Sequence, residues 1–215
     1  MEQTKNHNYV QHFNPMMVAY SDKYQNYFDS FNVGKGNLPF EEFIQKEAEE
    51  YADSGDGVTY LIFDTGENQT EKKLVAYFTI CSGAIPYVDR WKIPEDEREE
   101  NGLEYDEKIC GIPAIELKMF AVSKDYQDLF YRFEGEEKPI AAWILMSIVN
   151  FAMELKKNML GVKAIFLRSV PDAENFYKKN GFDYILKPMN PFYSIDSEYK
   201  AMFLPFVKLK IHYDE

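Results

Sequence analysis

Cysteine, histidine and long apolar runs are all scarce in this 215-residue sequence. Cys81 and Cys110 lie far apart without CxxC spacing, and His7, His12 and His212 are scattered. This pattern argues against a zinc site and against a disulfide framework, so we expect two reduced thiols and no metal. No stretch approaches the ~20 apolar residues that cross a bilayer, and the start, MEQTKNHNYV, lacks a signal-peptide pattern. The sequence therefore predicts a cytoplasmic protein with no membrane partner.

Basic residues are also in deficit, with 24 Lys and Arg against 36 Asp and Glu, which gives a formal net charge of −12. Such a surface repels a nucleic-acid backbone. The stretch 94–108, PEDEREENGLEYDEK, holds eight of the carboxylates and only two basic residues. Two interpretations stay open: an exposed, mobile, solvated loop, or an acidic lip that attracts a cationic amine substrate.

What is present suits a packed fold, since 46% of the residues are hydrophobic and 16% are aromatic. The length lies below the ~250 residues at which single cores stop growing, so we expect one domain over 1–215 with a polar segment at 1–14. Helical periodicity of apolar residues, alternation of apolar and polar residues, and turn-forming residues delimit the helices and strands. The predicted elements are helices over 38–55, 139–157 and 171–180, and strands over 58–64, 73–82, 114–122, 162–168, 182–188 and 200–209. Alternation of strands and helices favours a mixed α/β sheet.

Two strings carry a family resemblance: AIELKMFAVSKDYQ at 114–127 and GVKAIFLRSVPDAENFYKKNGF at 161–182. With the long helix between them, they resemble the central motifs of GNAT acetyltransferases, and the likeness extends over about 58–209. The sharpest part is FYKKNGF at 176–182, which matches the family's FYxxxGF. The resemblance implies an α/β fold with a central mixed, mostly antiparallel sheet that has a V-shaped split and is flanked by helices. It also implies transfer of an acetyl group from acetyl-CoA to a primary amine.

The front half, which contains FDSFNVGKGNLPFEEFIQKEAEEYADSG, is similar to the toxin-like GNAT branch that acts on aminoacyl-tRNA. The acidic balance argues against a nucleic-acid substrate, although a local basic stripe would permit tRNA. The candidate stripe consists of Lys156, Lys157, Lys163, Arg168, Lys178 and Lys179. The acceptor is therefore open between a protein, a peptide, a small amine and aminoacyl-tRNA, and so is a homodimeric state.

In the family, the strand that corresponds to KMFAV offers main-chain groups to the pantetheine arm of the cofactor. Here that strand supplies Met119, Phe120, Ala121 and Val122. The start of the following helix receives the pyrophosphate in the family, which implies cofactor-binding roles for Lys138, Ile140 and Ala141. Asn175 and Lys178 resemble further cofactor-contacting positions, but a solvated helix face explains Lys178 equally well.

The phosphate-binding pattern Q/R-x-x-G-x-G/A is altered in this sequence. Gln127 stands at the expected distance after the strand, but Phe130 and Arg132 occupy the glycine positions. An inserted loop over 128–138 delays the helix. Within it Gly135 restores R-x-x-G, while Glu137 brings a negative charge toward the phosphates. The alteration supports an alternative function, a GNAT-fold acyl-CoA-binding or regulatory protein without turnover.

The resemblance implies that Tyr177 is the general acid that protonates the leaving thiolate, since a phenol of pKa ~10 stays protonated at neutral pH. Glu116 stands where histone-acetylating relatives carry a general base, but an ion-paired glutamate of an edge strand is an equal alternative. A set of aromatic residues suits either of two environments, the lining of an acceptor cleft or an ordinary core. These residues are Phe28, Phe31, Phe130, Tyr131 and Phe133.

Overall fold

The structure is a computed structural model, and it describes residues 8–34, 38–67, 72–95, 104–185 and 199–208. The strands are β1 (Asn8–Tyr9), β2 (Pro15–Ala19), β3 (Val58–Asp64), β4 (Lys73–Lys92), β5 (Tyr105–Val122), β6 (Leu129–Phe133), β7 (Glu136–Pro139), β8 (Ala164–Ser169), β9 (Asp183–Tyr184) and β10 (Lys200–Pro205). The helices are α1 (Gln25–Phe28), α2 (Leu38–Glu42), α3 (Ala48–Asp53), α4 (Lys124–Gln127), α5 (Ile140–Asn158) and α6 (Glu174–Lys179). A π-helical turn, Phe43–Glu47, joins α2 to α3, and 3-10 turns form at Asp22–Tyr24 and Pro171–Ala173.

The main sheet has seven strands in the order β2-β3-β4-β5-β8-β10-β9. The strand pairs β2–β3, β3–β4, β8–β10 and β9–β10 are antiparallel. The predicted mixed α/β sheet with flanking helices is thus confirmed. The expected adjacency of the strands near 114–122 and 162–168 is also confirmed, because the Lys163 amide donates a 2.8 Å hydrogen bond to the Pro113 carbonyl. The V-shaped split stays a prediction.

The chain divides into two compact units, the first formed by residues 1–81 and 117–151 and the second by 82–116 and 152–215. In the first unit, β3 and the start of β4 alternate their side chains so that apolar residues face helices α1 to α3. The core that results is mainly aromatic and includes Phe28, Phe31, Phe43, Leu61, Phe63 and Tyr77. A separate three-stranded sheet, β1-β6-β7, also belongs to this unit.

The second unit has its own apolar core beside β8 and β10. Its buried members are Ile85, Ile112, Ala114, Ala164, Phe166, Ile185 and Ala201. Gly83 packs so closely on this core that an added Cβ would lie 3.0 Å from the Phe166 ring. Glycine at that position therefore allows β4 to approach the β8 side chains.

Two predicted loops turn out to contain strands. The segment 128–138 is not an irregular loop, because it forms the antiparallel pair β6 and β7; that it is an insertion stays a prediction. The acidic stretch 94–108 ends in a strand as well, because β5 begins at Tyr105. The side chains of Tyr105–Lys108 are exposed. Residues 96–103 of that stretch, and 1–7 of the polar N-terminal segment, lie outside the described residues.

No helix in the described ranges is both long enough and apolar enough to cross a membrane. Those ranges also contain no cluster of three or more His, Cys, Asp or Glu side chains that could hold a metal ion. Cys81 and Cys110 are free thiols.

Candidate active site

The FYxxxGF segment of the second unit forms helix α6 and the turn that ends it. The Phe182 amide donates to the Tyr177 carbonyl at 3.1 Å, and the Gly181 amide donates to the Lys178 carbonyl at 3.1 Å. These two bonds form a Schellman motif, which requires the left-handed conformation that Gly181 adopts at φ 87°. The motif usually brings an apolar contact, and here the Phe182 and Tyr177 rings lie 5.6 Å apart. The glycine and the second phenylalanine thus fix the Tyr177 ring.

Tyr177 is 8% exposed and also packs edge-on against Phe176, with ring centroids 5.2 Å apart. Burial raises the pKa of its phenol well above the ordinary value, because the phenolate would lose hydration. No hydrogen bond to its hydroxyl is found within the described part of the chain. Buried hydroxyls are usually paired, so an unpaired one marks a candidate functional residue.

Glu116 lies on β5, where its side chain is 12% exposed, and Arg168 on β8 donates a 3.1 Å hydrogen bond from Nη2 to its Oε1. The Arg168 side chain is 50% exposed. This contact favours the interpretation of Glu116 as an ion-paired strand glutamate. The expected edge position is wrong, because β5 lies between β4 and β8 in the strand order. The role of Glu116 as a general base stays a prediction.

Asn175 and Lys178 are exposed on α6. The Lys178 ammonium lies over the Tyr184 ring, 4.7 Å from its centroid, and the Tyr184 hydroxyl donates to Glu174. Lys178 thus packs against a side chain of β9, and a role for either residue toward a cofactor stays a prediction.

In the first unit, β5 continues through Met119 and Phe120, which are half-buried, to Ala121 and Val122, which are buried. The amides that follow are already used inside the fold. Ser123 donates to the Val75 carbonyl and Lys124 to the Asn32 carbonyl, each at 2.7 Å. This end of β5 is therefore anchored to the residues around it.

Gln127 has a structural contact that sequence reasoning missed. Its side-chain amide donates to the Val122 carbonyl at 2.8 Å and to the Val33 carbonyl at 3.0 Å. The side chain thereby ties α4 to the end of β5 and to the loop that precedes α2. A cofactor-binding role for Gln127 stays a prediction.

The altered phosphate segment is a two-residue hairpin. Glu134 and Gly135 join β6 to β7 with φ angles of 49° and 83°. Positive φ at both central residues is the requirement of a type I′ turn, and it explains why a glycine stands at 135. Gly135 therefore lies at the tip of a hairpin.

Glu137 is compensated by two neighbours. Arg132, directly opposite in the hairpin register, donates a 2.8 Å hydrogen bond to Glu137 Oε2. The Tyr9 hydroxyl of β1 donates to Oε1, and this contact raises the pKa of Tyr9. The negative charge that the sequence placed near the phosphates thus belongs to an ion pair of the hairpin.

Helix α5 begins with Ile140 directly after β7, and its first turn holds no acidic residue. Ile140 is fully buried and Ala141 is half-buried. Lys138, two residues before the helix, contacts Glu136 and lies 4.8 Å from the centroid of the Trp143 ring. A cation and a helix start with small residues fit a phosphate group, because the first amides of a helix lack internal partners.

The aromatic residues singled out in the sequence divide between two environments. Phe28 and Phe31 belong to the core, whereas Tyr131 and Phe133 line a cleft of ≈ 500 Å³ in the first unit. The contacts of Arg168, Arg132 and Tyr9 were not predicted, because each joins residues far apart in the sequence or depends on the exact hairpin register.

No family model and no curated protein matches the sequence. Solved structures do match. A tyrosine-to-phenylalanine mutant of the toxin AtaT is 16% identical, covers 92% of this chain and 93% of its own, and has a TM-score of 0.60. AtaTR bound with acetyl-CoA is 18% identical, with 89% and 93% coverage and a TM-score of 0.56. AtaT complexed with acetyl-methionyl-tRNAfMet is 17% identical, with 89% and 95% coverage and a TM-score of 0.57. The chain thus has the GNAT fold of these toxins.

Proposed function

We propose that this chain transfers an acetyl group from acetyl-CoA to a primary amine, with Tyr177 as the general acid. The buried, protonated Tyr177 hydroxyl carries the proposal, since no protein hydrogen bond to it is found among the described residues. Leaving such a group unpaired costs stability, and a functional requirement accounts for that cost. The structures of AtaT with acetyl-CoA support the same reaction class.

Acetyl-CoA supplies an acetyl group that is activated as a thioester. The amine nitrogen attacks the thioester carbonyl carbon, the carbon–sulfur bond breaks, and the amine loses one proton. Tyr177, whose phenol is protonated at neutral pH, donates its proton to the departing sulfur. The phenol then regains a proton from solvent, and the group that took the amine proton releases one to solvent. The Tyr177 ring is held in place by the Schellman turn, so the hydroxyl position does not depend on a mobile loop.

Glu116 is the proposed acceptor of the amine proton. Its carboxylate is mostly buried and one of its oxygens accepts the hydrogen bond from Arg168. In this proposal Arg168 orients the carboxylate, which takes the proton directly or through water.

The proposed cofactor contacts follow the family resemblance. The main chain of Met119, Phe120, Ala121 and Val122 would hold the pantetheine arm, and the α5 start with Lys138, Ile140 and Ala141 would hold the pyrophosphate. Gln127, Gly135, Asn175 and Lys178 complete the proposed set. The ion pair of Glu137 with Arg132 supports this assignment, because the carboxylate is not left uncompensated beside a phosphate group.

Calorimetry with acetyl-CoA, followed by a thiol-release assay on a panel of primary amines, tests the proposal. We expect binding, and release of free CoA with at least one amine. Binding without release on every amine would favour the alternative, an acyl-CoA-binding or regulatory protein. Absence of binding would contradict both.

Among the candidate acceptors, aminoacyl-tRNA is supported by a structural neighbour and by exposed basic side chains of this chain. AtaT has been solved with acetyl-methionyl-tRNAfMet, and the second unit of this chain has a set of exposed basic side chains. These are Lys157, Lys163, Arg168, Lys178 and Lys179. Phosphate contacts make binding steeply salt-dependent, so affinity for charged tRNA should fall as salt rises. Lys163→Glu should weaken it, whereas Lys23→Glu, an exposed lysine of the first unit, is the matched control.

A further inference from the structure

The first unit contains a cleft of ≈ 500 Å³ that no step of the proposed reaction uses. Its walls are aromatic side chains from three parts of the chain: Phe13 before β2, Tyr131 and Phe133 on β6, and Trp143 on α5. Glu67 belongs to the lining as well. Clefts of this volume suit a small organic ligand.

The aromatic walls meet at steep angles. Phe13 and Tyr131 are inclined at 67° with centroids 5.8 Å apart, and Phe133 and Trp143 at 87° with centroids 5.9 Å apart. Phe133 is 49% exposed, so much of its ring can contact a ligand. The face of an aromatic ring carries the negative part of the ring quadrupole and attracts cations.

Several polar groups of the lining are already paired inside the protein. The Trp143 indole donates to the Tyr131 carbonyl at 3.0 Å, and the Ser147 hydroxyl donates to the Trp143 carbonyl at 3.0 Å. The Asn14 amide donates to the Thr65 hydroxyl at 2.9 Å. A ligand that depends on many hydrogen bonds is therefore a poor fit for this cleft.

The Glu67 carboxylate provides a negative charge that can attract a ligand cation. Its contact is with His12 at 3.6 Å, and the two side chains are 67% and 53% exposed. A contact this exposed is weak, so the carboxylate can turn to a ligand cation. The formal net charge of −12 for the whole chain favours the approach of cations as well.

We propose that this cleft binds an organic ammonium cation, such as a methylated or other alkylated amine, between the aromatic walls and Glu67. Lys138 provides an internal precedent, because its ammonium lies 4.8 Å from the centroid of the Trp143 ring. Lys138 is not part of the cleft lining, and Glu136 compensates its charge. The cleft shares none of its lining residues with those assigned to acetyl transfer, although Lys138, a proposed phosphate contact, is its neighbour, and the proposal does not depend on that activity.

The test uses choline and its neutral carbon isostere, 3,3-dimethylbutan-1-ol, on the full chain. The chain has two tryptophans, so a Trp91→Phe background leaves Trp143 as the sole reporter of fluorescence. We expect saturable quenching or enhancement by choline and affinity at least about tenfold lower for the isostere, since cation–π attraction is lost. Equal affinity for both compounds would overturn the proposal, and so would the absence of any binding.

Variants assign the binding to the cleft. Phe133→Leu keeps an apolar side chain and should weaken choline binding about fivefold to tenfold, and Glu67→Gln about threefold. Tyr105→Leu, an exposed aromatic of the second unit, is the matched control and should leave affinity unchanged. Circular dichroism checks the fold of each variant. Choline affinity that is insensitive to both cleft variants would overturn the proposed location.

Discussion

The β6–β7 hairpin and the α6 segment both depend on a turn with positive φ, but they differ in whether their polar side chains are paired. At α6, one short motif fixes one buried side chain: Gly181 permits the turn, and Phe182 packs on Tyr177. At the hairpin, the positive φ of Glu134 and Gly135 permits the turn, but the side chains of Arg132 and Glu137 pair with each other. The α6 segment therefore presents a buried hydroxyl, whereas the hairpin satisfies its own charges.

This difference bears on function because the two segments correspond to separate parts of the proposed reaction. The motif that resembles the family most closely contains the proposed acid, and the motif that departs from it contains the proposed phosphate contacts. We expect turnover to be sensitive to changes at α6, and acetyl-CoA affinity to tolerate changes in the paired charges of Arg132 and Glu137 in the hairpin. Four substitutions, taken from the largest expected effect to the smallest, test this contrast.

Tyr177→Phe should lower turnover by ~10²- to 10⁴-fold while acetyl-CoA affinity stays nearly constant. The variant deletes one hydroxyl and retains the ring that packs against Phe176 and Phe182. Steady-state kinetics and calorimetry measure the two quantities. A parallel fall in both would make Tyr177 a packing residue and remove the contrast.

Glu116→Gln should lower turnover by about 10²-fold near neutral pH, with a loss that shrinks as pH rises. The reason is that an amine that is already deprotonated needs no base. A pH series of kcat/KM on a simple amine shows this trend, with Arg168→Gln as the companion that removes the 3.1 Å contact. A loss that is constant over the pH range would assign Glu116 to structure.

Gly135→Ala should destabilise the fold by about 1 kcal/mol, because alanine disfavours the left-handed conformation that Gly135 adopts. Gly135→Asn should cost less, since asparagine is accepted in type I′ turns. Chemical denaturation compares both with Gly161→Ala, where an added Cβ meets no atom within 4 Å. If Gly135→Asn keeps stability but loses acetyl-CoA affinity tenfold, the tip serves the phosphates directly.

Glu137→Gln should change acetyl-CoA affinity by less than about threefold, because Arg132 already compensates the carboxylate and exposed pairs are weak. Calorimetry of this variant beside Arg132→Gln gives the comparison. Tightening beyond tenfold for Glu137→Gln would show that the carboxylate repels the phosphates, as the sequence alone suggests.

Sequence patterns predicted the elements whose causes are local. Helix α5 was expected at 139–157 and spans Ile140–Asn158, and β3 was expected at 58–64 and spans Val58–Asp64. The strands β1 and β6 were missed because their parallel pairing joins Tyr9 to Phe130, and no periodicity in either segment records such a partner. The π-helical turn at Phe43–Glu47 was expected to be ordinary helix, because apolar spacing indicates a helix and does not locate a single π-helical turn within it.

In the candidate site too, sequence patterns predicted the features that have local causes. FYxxxGF identifies Tyr177 and explains its surroundings, because the motif is a local turn. The contacts of Glu116 with Arg168, of Gln127 with Val33 and of Glu137 with Tyr9 span 52, 94 and 128 residues in the chain. Only the folded structure gives these contacts, and they decide which polar groups are already occupied.

Acetyl transfer with Tyr177 as the acid is tested most directly by mass spectrometry with isotope-labelled acetyl-CoA. Wild-type chain and Tyr177→Phe are incubated separately with the labelled compound and a cell extract, and labelled acetyl groups on amines are quantified. The proposal predicts a labelled acceptor amine with the wild type and a loss of about 10²-fold or more with Tyr177→Phe. Equal labelling by the two proteins, or no labelled amine with the wild type, would contradict it.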